Sequence, residues 1–312
     1  MDVEELIAGI AAGDRRAVAR AISLVEDGRP ELETIAAGIA GLTGRAETIG
    51  ITGAPGVGKS TLAAELVRSM RSDGSAAVLA VDPTSPYTGG ALLGDRVRMQ
   101  EHATDEGVFI RSMATRGHLG GMALAAPEAI RILDAAGYMR ILVETVGVGQ
   151  AEVDVAAATD TALVVLAPGL GDAVQMAKAG ILEVADVFVV NKADREGAHQ
   201  VVRELRQMLH LGAERPWDPP VLETVATEGR GVEEVRTAVA GHARWLTGSG
   251  ERERKRRARL RREVEVLAAE RFRRRAAAVF DRDGRLLDDL LAGTIDPYRA
   301  AERLVALAEA GQ

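Results

Sequence analysis

The sequence contains no cysteine, few aromatic residues and no long apolar run. Without cysteine, disulfides and thiolate metal sites are excluded. Aromatic residues make up only 3% of the chain, so aliphatic side chains must fill the core. No apolar stretch is long enough to cross a bilayer, and the first five residues lack the basic start and apolar core of a secretion signal. These absences predict a cytoplasmic protein.

Positive charge is also in deficit. The formal net charge is -7 over 312 residues, which argues against nucleic-acid binding by the molecule as a whole. Hydrophobic residues make up 47% and charged residues 27%, an ordinary balance for a folded protein. The length suits one large α/β domain with appended helices.

One glycine-rich stretch stands out among the residues that are present. It reads Gly53-Ala54-Pro55-Gly56-Val57-Gly58-Lys59-Ser60, with Thr61 directly behind it, and it fits the G-x-x-x-x-G-K-[ST] phosphate loop. An apolar run at 48–52 precedes it and a helical pattern at 61–66 follows, which is the strand, loop and helix order that the motif requires. Backbone N–H groups and the helix dipole would hold a polyphosphate. Lys59 is predicted to reach the terminal phosphates and Ser60 to hold Mg²⁺.

Strand and helix patterns alternate after this loop, as in a mostly parallel sheet with helices on both faces. The predicted strands are 76–81, 108–110, 139–143, 162–166, 187–190 and 221–223. Several of them end in polar residues, at the edge where open α/β sheets bind ligands. Before the loop the spacing predicts short helices, one capped by Asp14 and another opened by Pro30.

Acidic residues follow two of these strands and could serve the metal of a bound nucleotide. Asp82 directly follows one strand, and Asp95 lies in the glycine-rich stretch beyond it. Glu144 follows another strand three residues before Gly147, an arrangement in which a carboxylate serves magnesium and a backbone N–H meets the γ-phosphate. Alternatively, Asp82 caps a turn or helix, and residues 144–150 are a strand followed by a flexible glycine turn.

The stretch Asn191-Lys192-Ala193-Asp194 fits N-K-x-D and predicts guanine as the base. Asp194 would accept hydrogen bonds from guanine N1–H and the exocyclic amine, while the Lys192 stem lies along the base. Adenine offers no matching donors, and an unpaired buried carboxylate discriminates strongly. The loop after strand 221–223 would add backbone contacts from Val225 and Ala226.

Together these stretches resemble the ArgK/MeaB family, the GTPase chaperones of adenosylcobalamin-dependent methylmalonyl-CoA mutase. The likeness covers about residues 1–250, and its specific parts are Glu-Thr-Val-Gly-Val-Gly-Gln at 144–150 and Gly-His-Leu-Gly-Gly at 117–121. The resemblance implies a signal-recognition-type P-loop NTPase fold. It further implies a helical extension at 1–44, a GTPase domain at 45–248 and a C-terminal helical dimerisation arm at 249–312.

The resemblance also implies roles for individual residues. The phosphates would be contacted by Gly56, Gly58, Lys59, Ser60 and Thr61. The metal ion would be held by Asp82, Asp95 and Glu144. The base would be contacted by Asn191, Lys192 and Asp194. Residues 168–178 resemble a switch that senses the partner mutase, with Asp172, Gln175 and Lys178 as polar candidates. From the residues alone, Asp172 could equally cap a helix. One departure is the run 111–114, Arg-Ser-Met-Ala, where many members have Arg-Pro-Ser-Pro.

The predicted reaction is Mg²⁺-dependent hydrolysis of GTP to GDP and phosphate, with Lys59, Glu144 and Gly147 as the catalytic groups. No side chain is an obvious strong base, so intrinsic hydrolysis should be slow until a partner orders the switch loops. The output would be gated cofactor loading, or protection, of a methylmalonyl-, isobutyryl- or ethylmalonyl-CoA mutase.

Two other classes stay open. A small-molecule kinase, which is the family's older label, would have no need of N-K-x-D. A nickel metallochaperone normally carries His and Cys clusters, whereas this chain has 5 scattered His and no Cys.

The C-terminal segment is rich in arginine from 252 to 275 and follows a predicted linker at 247–250. Leu260, Val264 and Leu267 recur at helical spacing. The segment could be a solvated helix in a dimer arm, a basic contact for an acidic protein surface, or an RNA-binding element. Asp296 and Pro297 should cap and open a last helix.

Overall fold

The computed structural model describes residues 2–82, 105–114, 121–145, 150–169, 181–212, 215–282 and 284–310. It divides into two compact units, Met1–Arg259 and Leu260–Gln312. The predicted boundaries at 44/45 and 248/249 stay predictions.

The first unit is built around a seven-stranded parallel sheet. Its strands are β1 (Glu47–Thr52), β2 (Ala76–Asp82), β3 (Val108–Ala114), β4 (Arg140–Thr145), β5 (Thr161–Leu166), β6 (Val187–Val190) and β7 (Val221–Glu223). Their order is β3-β2-β4-β1-β5-β6-β7. Every strand predicted from the sequence is present; β2, β3 and β4 extend beyond their predicted C-terminal ends, and β4 begins at Arg140, one residue after its predicted start. The predicted fold class is confirmed.

Helices cover both faces of this sheet. They are α1 (Val3–Ala11), α2 (Arg15–Asp27), α3 (Glu31–Ile39), α4 (Lys59–Met70), α5 (Gly121–Ala135), α6 (Gln150–Ala158), α7 (Ile181–Val184), α8 (Ala198–Leu211) and α9 (Val232–Ser249). The central strands are covered on both sides, and β5 is buried at all six of its positions. This explains why the strands read as continuous apolar runs without polar alternation.

The N-terminal helices pack on the face of the sheet that carries α5. Asp14 caps α2 by accepting a hydrogen bond from the Arg16 N–H at 2.9 Å, as predicted. Val18 and Ile22 of α2 are fully buried in one core with residues of α1, α3, α5 and β3. The first three helices are therefore part of the hydrophobic core of the first unit.

The segment at 247–250, predicted as a linker, is helical up to Ser249. The hydroxyls of Thr247 and Ser249 donate to the carbonyl oxygens of Ala243 and Trp245, at 3.0 and 2.7 Å. These bonds give both polar side chains a partner within the helix. Only Gly250, in the left-handed conformation with φ 77°, separates α9 from the next helix.

That helix, α10 (Glu251–Arg282), begins in the first unit and continues into the second, where α11 (Arg285–Leu291) and α12 (Pro297–Ala310) follow. Asp296 caps α12 by accepting from the backbone N–H groups of Tyr298 and Arg299, at 2.9 and 3.0 Å. This confirms the predicted start of the last helix. Among the residues described above, none of the helices is long and apolar enough to span a membrane.

Candidate nucleotide-binding site

The loop between β1 and α4 has the backbone of a phosphate-binding loop. Gly53 and Gly58 adopt φ angles of 140° and 97°. A Cβ on Gly53 would overlap the carbonyl oxygen of Val165, and a Cβ on Gly58 would overlap the amide nitrogen of Asn191. Only glycine fits at either position, because the loop is pressed against β5 and against the residue that follows β6.

The first turn of α4 brings a lysine and a serine into this loop. Lys59 and Ser60 are each 7% exposed. The Lys59 ammonium donates to the carbonyl oxygens of Gly53 and Ala54, at 2.6 and 3.1 Å. The loop thus combines a fixed positive charge with the N-terminal end of a twelve-residue helix. Both features favour an anion such as a polyphosphate.

Ser60 also contacts Glu144, a carboxylate predicted to hold the metal ion. Its Oγ donates to Oε1 of Glu144 at 2.6 Å. Glu144 is 1% exposed and sits near the end of β4, where it pairs in register with Ile51 of β1. A hydroxyl and a carboxylate are hard oxygen ligands, so this donor pair fits Mg²⁺.

The remaining metal-side residues are less completely described. Asp82, predicted to follow this strand directly, is the last residue of β2, at the same sheet edge, and its side chain lies outside the described residues. Asp95 and Gly147 lie outside them altogether, and so do Asp172, Gln175 and Lys178 of the predicted partner-sensing switch. In the described ranges, no three acidic or histidine side chains cluster so as to hold a metal ion.

Asn191 connects the predicted base-binding motif to the phosphate loop. Its Nδ2 donates to the Val57 carbonyl at 2.9 Å, and its Oδ1 accepts from Thr224 Oγ1 and from the Ala226 N–H, both at 3.0 Å. Asn191 is 3% exposed. One buried amide therefore joins three loops that follow β1, β6 and β7.

Lys192 forms a second link between the same two motifs. Its backbone has φ 58°, and among the described residues other than glycine it alone has a positive φ. The side chain turns back over the phosphate loop, where Nζ donates to the Gly56 carbonyl at 2.6 Å. Asp194 is exposed on the following turn. Lys192 thus lies against the phosphate loop.

The backbone groups predicted to touch the base have partners within the chain. The Val225 N–H donates to the Arg230 carbonyl at 3.0 Å, and the Ala226 N–H donates to Asn191. Their contact with guanine stays a prediction. Thr224 was not predicted to orient Asn191; the available signal was a hydroxyl residue directly after β7.

Taken together, these residues define the class of the protein. A glycine-rich loop with its lysine and serine lies at the carboxyl edge of a parallel sheet, tied to an N-K-x-D stretch. This is the arrangement of a P-loop protein that binds a guanine nucleotide.

Comparison with known proteins places the chain more closely. Residues 18–280 match the model of the family described as methylmalonyl-CoA mutase-associated GTPase MeaB, and the chain belongs to that family. A protein of Pyrococcus horikoshii that is named as a GTPase is 50% identical over 305 residues, covering 96% of each chain. The chain is accordingly a GTPase.

Two further proteins are similar over long stretches. The fused isobutyryl-CoA mutase of Cupriavidus metallidurans is 37% identical over 227 residues, which cover 70% of this chain and 21% of that protein. A crystal structure described as LAO/AO transport system kinase has a TM-score of 0.70 and 28% identity, covering 98% of this chain and 97% of the other. The second match shows that the two chains share a fold.

Proposed function

We propose that this GTPase is a chaperone for an adenosylcobalamin-dependent acyl-CoA mutase and that it uses GTP hydrolysis to gate loading of the cofactor or to protect the mutase. The observation that carries the proposal is the match to a family described as mutase-associated, which a relative fused to a mutase supports. In that relative a segment similar to this chain is covalently part of an acyl-CoA mutase.

We further propose that the reaction depends on Mg²⁺. Ser60 and Glu144 would hold the ion together with Asp82 and Asp95. When bound, Mg²⁺ would supply positive charge that stabilises the phosphate oxygens as the terminal phosphate is cleaved. The observation behind this proposal is the direct contact of a hydroxyl and a buried carboxylate beside the phosphate loop.

The chain's own residues supply the rest of the chemistry. Lys59 would leave the carbonyl groups of its own loop to neutralise the phosphate oxygens, while the backbone N–H groups of the loop orient them. Gly147 would contribute a backbone N–H to the γ-phosphate. The described residues offer no obvious strong base, so we expect slow intrinsic hydrolysis that rises when the partner orders the switch region.

The same proposal covers the predicted partner contacts. Asp172, Gln175 and Lys178 would sense the mutase, and the C-terminal arm would form a homodimer in the cytoplasm. Exposed apolar side chains on the second unit support the dimer, since Leu291 is 87% and Tyr298 86% exposed.

The proposal is tested by measuring GTP hydrolysis alone and with purified adenosylcobalamin-dependent mutases. Methylmalonyl-CoA mutase and isobutyryl-CoA mutase are compared in parallel, with an unrelated acyl-CoA enzyme as the protein control and ATP as the control nucleotide. We expect one mutase to raise GTP turnover and to leave ATP turnover unchanged. If no mutase changes GTP turnover, the proposal that an acyl-CoA mutase is the client is contradicted. A preference for ATP would overturn the assignment of Asp194 to guanine recognition and would favour the small-molecule kinase.

A further inference from the structure

Strand β3 carries a charged residue on a face that is otherwise apolar. Phe109, Arg111 and Met113 alternate along the strand and so point to one side of the sheet. Phe109 is 5% exposed and Met113 is fully buried, and both belong to the core that includes α2. An arginine between them has lost much of its hydration and requires a partner.

The partner comes from the N-terminal helical extension. Arg111 Nη2 lies 2.7 Å from Oε2 of Glu26 and 2.9 Å from Oγ of Ser23, both on α2. The ion pair is largely shielded from water, since the two side chains are only 22% and 11% exposed. It joins the C-terminal part of α2 to the middle of β3.

The beginning of β3 is held separately. Arg15, at the start of α2, donates through Nη1 to the carbonyl oxygens of Glu106 and Val108, at 3.2 and 2.6 Å. From the other side, Arg71 forms a two-pronged bond to Asp105, at 2.8 and 3.0 Å. Loosening Arg111 would therefore release the end of the strand without releasing its start.

The end of β3 lies beside a residue of the proposed magnesium site. In the parallel ladder Ala114 pairs with Asp82, and Arg111 is three residues before Ala114. β3 is the outermost strand in the described sheet order, with a strand neighbour only in β2. The position of this strand end thus depends on β2 on one side and on α2 across the face.

A contribution to folding stability does not account well for this ion pair. Replacing a shielded ion pair by apolar residues of similar size is often neutral or stabilising, because desolvation offsets the attraction between the charges. Such pairs are better suited to fixing the register of two elements. An apolar residue at 111 would match its neighbours and pack against α2 without fixing α2 along the strand.

We propose that Glu26 and Arg111 are positioning residues for the GTPase reaction: their ion pair holds the C-terminal end of β3 beside Asp82 and so sets the magnesium side of the site. The inference rests on the magnesium-dependent reaction proposed above. It gives the N-terminal extension a role in the nucleotide site.

The test compares the full-length protein with the double variant Glu26→Leu/Arg111→Met, in which an apolar pair replaces the ion pair. We expect its thermal midpoint to stay within a few degrees of wild type or to rise. Affinity for the fluorescent GDP analogue mant-GDP without Mg²⁺ should be unchanged. The Mg²⁺ concentration that gives half-maximal GTP turnover should rise about tenfold, because small displacements of reacting groups cost one to two orders of magnitude.

Two further variants distinguish an effect on the position of the strand end from a general disturbance of the fold. Arg111→Lys keeps the charge and should give an intermediate Mg²⁺ requirement. The matched control is Arg29→Gln/Glu31→Gln, which removes a more exposed ion pair of the same extension, with side chains 56% and 34% exposed and 3.6 Å between the charged atoms. This control should behave as wild type in all three measurements.

An unchanged Mg²⁺ requirement in the double variant would overturn the inference. A fall in thermal midpoint accompanied by loss of mant-GDP affinity would overturn it as well, because the pair would then serve the fold as a whole. If wild-type turnover does not depend on Mg²⁺, the proposed magnesium site fails first, and this result is recognisable before any variant is compared.

Discussion

At the residue scale, Glu144 is the group whose removal we expect to separate nucleotide binding from hydrolysis. It is buried, and Ser60 contacts it at 2.6 Å. We expect Glu144→Ala to lower Mg²⁺-dependent GTP turnover at least about a hundredfold, since it removes a group that would act on the metal. GDP affinity, measured with mant-GDP, should change by less than about threefold.

The matched control for this prediction is Glu253→Ala, which removes an exposed glutamate at the start of α10. It should keep full turnover and full GDP affinity. Wild-type turnover in Glu144→Ala would remove this carboxylate from the mechanism.

The same scale shows what the sequence could and could not predict. Lys59, Ser60 and Asn191 were identified because local motifs specify their residue types and spacing. The convergence of Val57, Thr224 and Ala226 on Asn191 was not predicted, because it brings together loops up to 169 positions apart only after the sheet has formed. The hydroxyl of Thr224 has a defined role only once β7 lies beside β6.

At the scale of elements, α10 is bound at its start to the opposite edge of the sheet from the phosphate loop. Lys255 Nζ lies 3.1 Å from Oδ1 of Asp186, and Arg259 Nη2 lies 2.6 Å from Oδ1 of Asp160. These aspartates precede β6 and β5. The sequence suggested that the arginine-rich segment is a single helix, either solvated or binding a partner. In the structure, part of its positive charge is instead paired with aspartates of the first unit.

Asp186 also lies beside a buried histidine. His242 is fully buried, with Nε2 at 3.2 Å from Asp186 and Nδ1 at 2.8 Å from Thr161 Oγ1. Burial raises the pKa of Asp186, but the neighbouring His242 and the charge of Lys255 more than offset it, so its pKa lies below the ordinary value of 3.8. The ionised form is therefore favoured in the folded chain.

This lowered pKa predicts a specific pH dependence of stability. Because the folded-state pKa is below the unfolded value, the carboxylate stabilises the fold above pH 3.8, and the contribution is lost as the pH falls through the lower folded value. We expect Asp186→Asn to reduce the free energy of unfolding by about 2 kcal/mol at pH 7. The difference should shrink towards zero in strong acid, as measured by urea unfolding at a series of pH values.

Lys255→Gln provides the companion variant. It removes one charge that lowers the pKa of Asp186, so the acid loss of stability should begin at a higher pH than in wild type. A penalty for Asp186→Asn that is the same at every pH would show that packing, and not ionisation, carries the contribution.

At the scale of the whole molecule, the chain combines a well-covered first unit with a second unit of small core. Ala276, Leu286, Ala300 and Ala308 are the apolar side chains buried in the described part of the second unit. Small side chains dominate this core, while larger ones, such as Leu291 and Tyr298, face outward. The helical spacing of Leu260, Val264 and Leu267 was visible in the sequence, but their exposure depends on how α10, α11 and α12 pack.

We propose that a second copy of the chain buries these exposed apolar side chains in a dimer interface. Leu291 and Tyr298 are 87% and 86% exposed, so they contribute little to the stability of the second unit itself. We expect Leu291→Asp/Tyr298→Ser to convert a dimer into a monomer in light scattering, because burial of a large apolar side chain contributes roughly 1.5–3 kcal/mol and a buried charge opposes association. Basal GTP turnover and the thermal midpoint of the first unit should not change, since the substitutions lie outside it. Arg257→Gln, at an exposed position of α10, is the control and should leave the dimer intact; a double variant that stays dimeric would place the interface elsewhere on the chain.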